Sequence, residues 1–193
     1  MAKKTLNTCL KGSCDECEIK SKITCNFRFM HFIRFYSLSA PAYILGGWSM
    51  YSSFSMFFYL WFIAIGLFFL FAGTRVLCTH CPHYNTPARY LKCHANYGIP
   101  KLWKPKPFPM NRCEKAILIA GHVLIWTYPM IFMVYAQSWI LFILYCFFVI
   151  FFFIMHRWFN CKKCIHFSCP FNAVNELIKN EFLNNNQAIK QFF

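Results

Sequence analysis

Residues 35–74 read FYSLSAPAYILGGWSMYSSFSMFFYLWFIAIGLFFLFAGT, forty positions without a Lys, Arg, Asp or Glu. A second block of forty uncharged residues follows at 116–155. A helix rises about 1.5 Å per residue, so about 20 residues cross the roughly 30 Å hydrocarbon core of a bilayer. Each block is long enough to cross twice and therefore predicts a pair of membrane-spanning helices.

The turns are predicted near residues 50–55, where Ser and Gly interrupt the apolar run, and near residues 135–138. Four spans result, at about 33–51, 55–75, 115–135 and 138–157. The predicted fold class is an all-α integral membrane four-helix bundle, made of two tandem helical hairpins with cysteine-rich cytoplasmic loops. Five segments follow: an N-terminal segment 1–32, a hairpin 33–75, a loop 76–114, a hairpin 115–157 and a C-terminal segment 158–193.

The composition agrees with a membrane protein. Of the 193 residues, 58% are hydrophobic and only 13% are charged, against about a quarter charged in soluble domains. The polar N-terminal segment lacks a compact apolar region with a small-residue cleavage site, so no removable signal peptide is predicted. No phosphate loop, catalytic triad or carboxylate pair is present.

The positive charges lie on one predicted side of the membrane. Of the 20 Lys and Arg residues, 7 precede the first span, 8 lie between the second and third, and 5 follow the fourth. The positive-inside rule places both termini and the middle loop in the cytoplasm, with the protein in the inner membrane. The net charge of +14 indicates contact with anionic headgroups, or with an acidic partner, rather than with nucleic acid.

Eleven of the 12 cysteines fall on that cytoplasmic side. Structural disulfides are rare in a reducing cytosol, so these thiols indicate metal ligation or redox chemistry rather than a scatter of free thiols. Only Cys146 lies within a span, where a cysteine is usually a small apolar filler.

A shift of 88 residues superposes several of these positions. It aligns Cys25 with Cys113, Pro41 with Pro129, Arg75 with Lys163, and Cys81-Pro82 with Cys169-Pro170. The halves therefore look like an internal duplication. Each half contains two helices, so both halves have the same orientation in the membrane. The repeats should therefore be related by an axis along the membrane normal. Such symmetry would bring the two cysteine motifs together at the cytoplasmic end.

The motifs suit a metal centre. A Cys-x-x-Cys pair sets two thiolates on one turn, within reach of one zinc ion or one iron–sulfur cluster. Proline directly after Cys81 and Cys169 favours the cluster, because a Cys-Pro closes the bacterial ferredoxin motif. Zinc remains the alternative. His94 and His166 could each replace a thiolate.

The sequence resembles the membrane iron–sulfur proteins of the NapH, NosR and CcoG type, in which a basic residue and a Cys-x-x-x-Cys-Pro motif follow the second and fourth helices. Here RVLCTHCP, residues 75–82, and RWFNCKKCIHFSCPFN, residues 157–172, occupy those places. The intervals of two and four residues differ from the family's three, and the family's double-cluster ferredoxin domain is missing. The resemblance covers about two thirds of the chain.

The resemblance implies a quinol dehydrogenase-like subunit that passes electrons from a membrane quinone-type carrier to a partner redox protein or membrane-complex subunit. About two clusters, of the [4Fe–4S] type, are predicted. Candidate ligands are, in order, Cys78, Cys81, Cys164 and Cys169, then Cys161, Cys25, Cys113 and Cys93, with Cys9, Cys14 and Cys17 for a further site. Candidate quinone contacts are His122, His31 and His156.

Three other classes compete with electron transfer. A zinc-stabilised structural subunit of a membrane complex is the main alternative, and a thiol–disulfide enzyme is the next. The four-span protein acyltransferases share a cysteine-bearing loop between helices two and three. The present loop, however, has only Cys93-His94 where that family has an Asp-His-His-Cys motif.

Overall fold

The computed structural model describes residues 17–25, 27–186 and 190. These residues form helices and loops without a strand, and the predicted all-α class is confirmed. The helices are α1 (Phe29–Leu67), a π-helical turn (Phe68–Gly73), α2 (Thr74–Val76), α3 (Arg112–Tyr135), α4 (Trp139–Phe159) and α5 (Glu176–Asn185). Short 3-10 turns lie at Cys78–His80, Pro82–Asn85 and Cys161–Lys163.

Helix α1 doubles back on itself at Phe54, whose backbone is not helical (φ −149°, ψ 61°). The rings of Tyr43 and Trp61 lie 5.9 Å apart, whereas a straight helix would separate such positions by about 27 Å. Residues 29–53 and 55–67 therefore form two antiparallel arms, termed the first and second arms of α1. The break falls within the stretch 50–55, where the sequence predicted a turn.

Helices α3 and α4 also run antiparallel. Tyr135 ends α3, Gln137 takes a left-handed conformation (φ 52°), and Trp139 begins α4. The Tyr145 hydroxyl donates a hydrogen bond of 2.9 Å to the carbonyl oxygen of Trp126, which joins the two helices in the interior. This reversal lies where the second turn was predicted.

The bundle core forms where α1 packs against both α3 and α4. Phe35 and Ala42 from α1, Trp126 and Met133 from α3, and Tyr145 from α4 are buried in one apolar cluster. Gly46 permits the close approach, because a Cβ at this position would lie 3.0 Å from the Tyr145 ring. The first arm of α1, α3 and α4 therefore share one interior.

The outside of the bundle is apolar as well. Phe29–His80, Arg112–Tyr135 and Trp139–Lys163 are each long and apolar enough to cross a membrane by length and composition. Large apolar side chains point outward along α4, and Ile140 is 77% exposed. The bundle is thus apolar inside and out, as contact with lipid requires.

A loop and two terminal segments cover one end of the bundle. In the loop, the Tyr84 hydroxyl donates to the carbonyl oxygen of Trp103 (2.7 Å), and Trp103 Nε1 donates to Thr74 Oγ1 (3.2 Å). The N-terminal segment crosses the same end, where the Thr24 N–H donates to the carbonyl oxygen of Lys163 (2.8 Å). Ile19 and Ile23 from this segment pack with residues of α5 in a separate apolar cluster. Side-chain contacts therefore fix the structure of this end of the bundle.

Candidate metal centre

Six cysteines line one cavity of about 110 Å³ at this end of the bundle. They come from three stretches of chain: the segment after the second arm of α1, the loop before α3, and the segment after α4. The six are Cys78, Cys81, Cys93, Cys161, Cys164 and Cys169. The structure thus brings together the two motifs that the sequence singled out, with one cysteine from the loop.

The Cys-x-x-Cys pairs take the same local form in both motifs. The N–H of Cys81 donates to the carbonyl oxygen of Cys78 (2.9 Å), and the N–H of Cys164 donates to that of Cys161 (3.5 Å). Cys81 itself is extended (φ −81°, ψ 134°), as a residue before proline prefers. Each pair is therefore a single tight turn that directs both sulfur atoms toward the cavity.

The thiols lie close enough to influence one another. Burial raises the pKa of Cys81 well above its ordinary value, and the neighbouring thiols of Cys164, Cys93 and Cys78 raise it further. Burial also raises the pKa of Cys164, with smaller contributions from Cys169, Cys93 and Cys161. Buried neighbouring thiols stay protonated at neutral pH unless a bound cation stabilises their thiolates. A metal centre would supply that cation.

Nitrogen donors point at the sulfur atoms. Asn96 Nδ2 donates to Cys78 Sγ (3.4 Å), and the N–H of His166 donates to Cys164 Sγ (3.5 Å). Burial raises the pKa of Cys93, while hydrogen bonds from the backbone N–H groups of residues 94–96 lower it. N–H donors to sulfur stabilise anionic thiolates and set the reduction potential of iron–sulfur centres.

The spacing of the donors bears on which metal they fit. Among the described residues, no three His, Cys, Asp or Glu side chains converge closely enough to hold a single metal ion. Zn–S bonds of about 2.3 Å in a tetrahedron would place the sulfurs only about 3.8 Å apart. The thiolates of a cluster bind different iron atoms and stand further apart. The described part of the chain therefore shows no preassembled site for a single ion, and the six thiols share only the cavity they line.

The neighbouring histidines are neutral and already engaged. Burial lowers the pKa values of His94 and His166 to about 4. His166 Nε2 lies 2.9 Å from the carbonyl oxygen of Leu77, and its Nδ1 lies 3.3 Å from Ser168 Oγ. With both ring nitrogens bonded, His166 joins the two motifs and is not placed as a ligand. His94 Nδ1 lies 3.6 Å from Cys93 Sγ.

Three of the remaining predicted ligands lie outside the cavity. Cys17 and Cys25 pack against the apolar cluster of the N-terminal segment and α5. Cys113 is exposed on the first turn of α3. Cys9 and Cys14 fall outside the described residues. The structure thus separates the six cavity cysteines from Cys17, Cys25 and Cys113.

The predicted quinone contacts also differ in whether they line the cysteine cavity. His122 and His156 line the cysteine cavity and also an adjoining cavity of about 170 Å³. His31 instead accepts a hydrogen bond from the backbone N–H of Arg28 (2.9 Å) at the start of α1 and lines neither cavity. Only two of the three histidines therefore adjoin the thiols.

The sequence predicted one residue of the site without marking its central position, and it gave no signal for a second. Cys93 was ranked last of the second group of ligands, yet its thiol neighbours those of Cys78, Cys81, Cys164 and Cys169. Asn96 was not considered. The 88-residue shift gives Cys93 no cysteine counterpart, so the repeat carried no signal for it.

Comparison of the chain with protein-family models, with curated proteins and with solved structures finds no match. The function is therefore argued from the residues of the site.

Proposed function

We propose that this protein is a membrane electron-transfer subunit that holds an iron–sulfur centre among the six cavity cysteines. The convergence of thiols from three separate stretches of chain on one cavity supports the proposal most strongly. The nitrogen donors aimed at those sulfurs add to it. When bound, an iron–sulfur centre supplies one-electron redox chemistry.

The proposed membrane arrangement has four spans: the two arms of α1, α3 and α4. Each span has one end at the cysteine cavity. These four ends lie on the same side of the bundle, because the chain reverses at Phe54 and again at Gln137. Basic side chains lie at that end over aromatic rings, with Lys162 Nζ 3.7 Å from the Trp158 ring centroid and the Arg75 guanidinium 4.8 Å from that of Trp103. We place this end in the cytoplasm of an inner-membrane protein and interpret the two antiparallel pairs as the duplicated hairpins.

The proposed reaction is the oxidation of a membrane quinol. One quinol releases two electrons and two protons and becomes a quinone. The electrons leave in two one-electron transfers to a partner redox protein, and the protons pass to solvent. Phe35 and Phe69, which line the cavity, keep water and lipid headgroups from the thiols.

We propose one centre in this cavity, where the sequence predicted about two. All six thiols share a single volume of about 110 Å³, and Cys93 neighbours members of both motifs. Four thiolates suffice for one [4Fe–4S] cluster, so two of the six would be spare.

The basic cytoplasmic end suits an acidic partner. Lys162 and Lys163 lie between Cys161 and Cys164 in the sequence and add positive charge beside the cavity. A partner with a negatively charged face would be attracted to this end, and the attraction would weaken as ionic strength rises.

The test is spectroscopic. We expect protein purified without oxygen to be brown, to absorb broadly near 400 nm, and to lose that absorbance on addition of dithionite. Electron paramagnetic resonance of the reduced sample should show the signal of a reduced iron–sulfur centre. A colourless protein containing zinc would instead support a structural subunit, and a metal-free protein with a rapidly alkylated Cys-x-x-Cys would support a thiol–disulfide enzyme.

A further inference from the structure

A groove of about 620 Å³ lies between the two arms of α1. Nine of its 14 lining residues are aromatic, among them Tyr43, Trp48, Phe58 and Trp61. Gly47 lets the Phe58 ring of the second arm pack closely against the first arm, because a Cβ at Gly47 would lie 3.1 Å from that ring. Walls of flat aromatic rings favour a flat ligand that can stack on them over a flexible acyl chain.

The groove and the cysteine cavity share a wall. Phe35 and Phe69 line both the groove and the cysteine cavity. Tyr43 lines the groove and the adjoining cavity that contains His122 and His156. A ring bound in the groove would therefore be separated from the thiol cavity by a layer one side chain thick.

Tyr43 supplies a polar group at this wall. Its ring is held between those of Trp126 (centroids 4.8 Å apart) and Trp61 (5.9 Å apart), so the hydroxyl has a fixed position. The Tyr36 hydroxyl, in contrast, already donates to the carbonyl oxygen of Ala95 (3.3 Å). No hydrogen bond to the Tyr43 hydroxyl is found within the described part of the chain.

We propose that the groove between the arms of α1 binds the quinone ring of the membrane carrier, with the Tyr43 hydroxyl hydrogen-bonded to a ring oxygen. This inference rests on the proposed function for the identity of the carrier. It places the ring at α1, whereas the sequence pointed to His122, His31 and His156. Phe35 and Phe69 then lie between donor and acceptor.

Photo-labelling with an azidoquinone tests where the ring binds, independently of any iron. We expect labelled peptides from α1 in detergent-purified protein, and we expect decylubiquinone to suppress the labelling. Ala40→Phe fills the groove from one wall and should lower the labelling at least tenfold. Ala120→Phe is the matched control, since Ala120 is exposed on α3 and lines none of the three cavities.

Reduction of the centre by decylubiquinol tests the role of the hydroxyl. Tyr43→Phe keeps the stacked ring and removes one hydrogen bond, so the half-saturating quinol concentration should rise up to about tenfold. Dithionite reduces the centre without using the groove and should act equally on all variants. Because Tyr43→Phe removes a single oxygen atom, it tests the inference even if Ala40→Phe does not fold.

The two proposals can fail separately. Labelling of α3 or α4 at His122 or His156, or full labelling of Ala40→Phe, would overturn the groove assignment. Suppression of the label by quinone-free phospholipid to the same extent as by decylubiquinone would make the groove a lipid site and also overturn it. Labelling of α1 in a protein without iron would sustain the groove while removing the proposed centre.

Discussion

Trp61 Nε1 donates a hydrogen bond of 2.9 Å to the backbone carbonyl oxygen of Ile125, four residues before Pro129. Proline has no N–H, so Ile125 lacks its helical partner. The indole replaces that partner and ties the second arm of α1 to the proline-containing turn of α3. An unpaired buried carbonyl costs about 1–3 kcal/mol.

Trp61→Phe should therefore destabilise the protein by about 1–3 kcal/mol while keeping an aromatic ring in the core. Thermal unfolding in detergent would measure the loss. Trp139→Phe is a control, because Trp139 is 57% exposed at the start of α4. Equal losses in the two variants would show that the indole hydrogen bond contributes nothing.

Gly121 allows the π-helical turn to rest on α3. A Cβ at Gly121 would overlap the ring of Phe68, the first residue of that turn. Gly121→Ala should cost about 1–3 kcal/mol through overpacking, and Phe68→Leu in the same chain should restore part of it. Gly66→Ala offers a matched control, since a Cβ there meets nothing within 4 Å. Similar melting temperatures for both glycine variants would contradict the packing.

Glu114 fastens the loop over the cavity. Its carboxylate lies 2.6 Å from Lys106 Nζ and 3.0 Å from His80 Nε2, and it accepts from the N–H of Asn111 (3.1 Å). Glu114→Gln removes the charge, so trypsin should cleave the loop after Lys101 several times faster. Glu176→Gln, on the exposed face of α5, should leave the cleavage rate unchanged. An unaltered rate in Glu114→Gln would show that the loop is held by other contacts.

Thiol reactivity tests the burial of the site. Burial and neighbouring thiols raise the pKa values of Cys81 and Cys164, so the reactive thiolate forms only at higher pH. Each unit of pKa lowers the thiolate fraction about tenfold at a fixed pH below the pKa. In metal-free protein at pH 8, these two cysteines should react with iodoacetamide at least tenfold more slowly than the exposed Cys113. Peptide mass spectrometry gives the rates, and equal rates would contradict the described cavity.

The sequence predicted the helices because their cause is local. Two uncharged blocks, each with a break near its middle, specify long apolar helices, and the breaks lie at Phe54 and near Gln137. The convergence of Cys78, Cys81, Cys164 and Cys169 also followed, since both motifs end helices that run in the same direction.

The positions of Cys93 and Cys113 and the shape of the groove depend on contacts between residues that are distant in the sequence. Cys93 reaches the cavity because the loop is fixed by Tyr84, Trp103 and Thr74, and no spacing in the sequence specifies those bonds. Cys113 has the sequence relationship of a ligand but lies exposed at the start of α3. The groove is formed by side chains of two arms that meet across the break at Phe54, and periodicity does not determine how the arms pack.

The most direct test of the central claim is the amount of iron and acid-labile sulfide bound per chain after anaerobic purification. We expect close to four of each in the unmodified protein and in Cys113→Ser, and less than a quarter of that in the double variant Cys81→Ser/Cys164→Ser. Equal iron in all three proteins, or zinc in place of iron, would contradict an iron–sulfur centre held by the cavity cysteines.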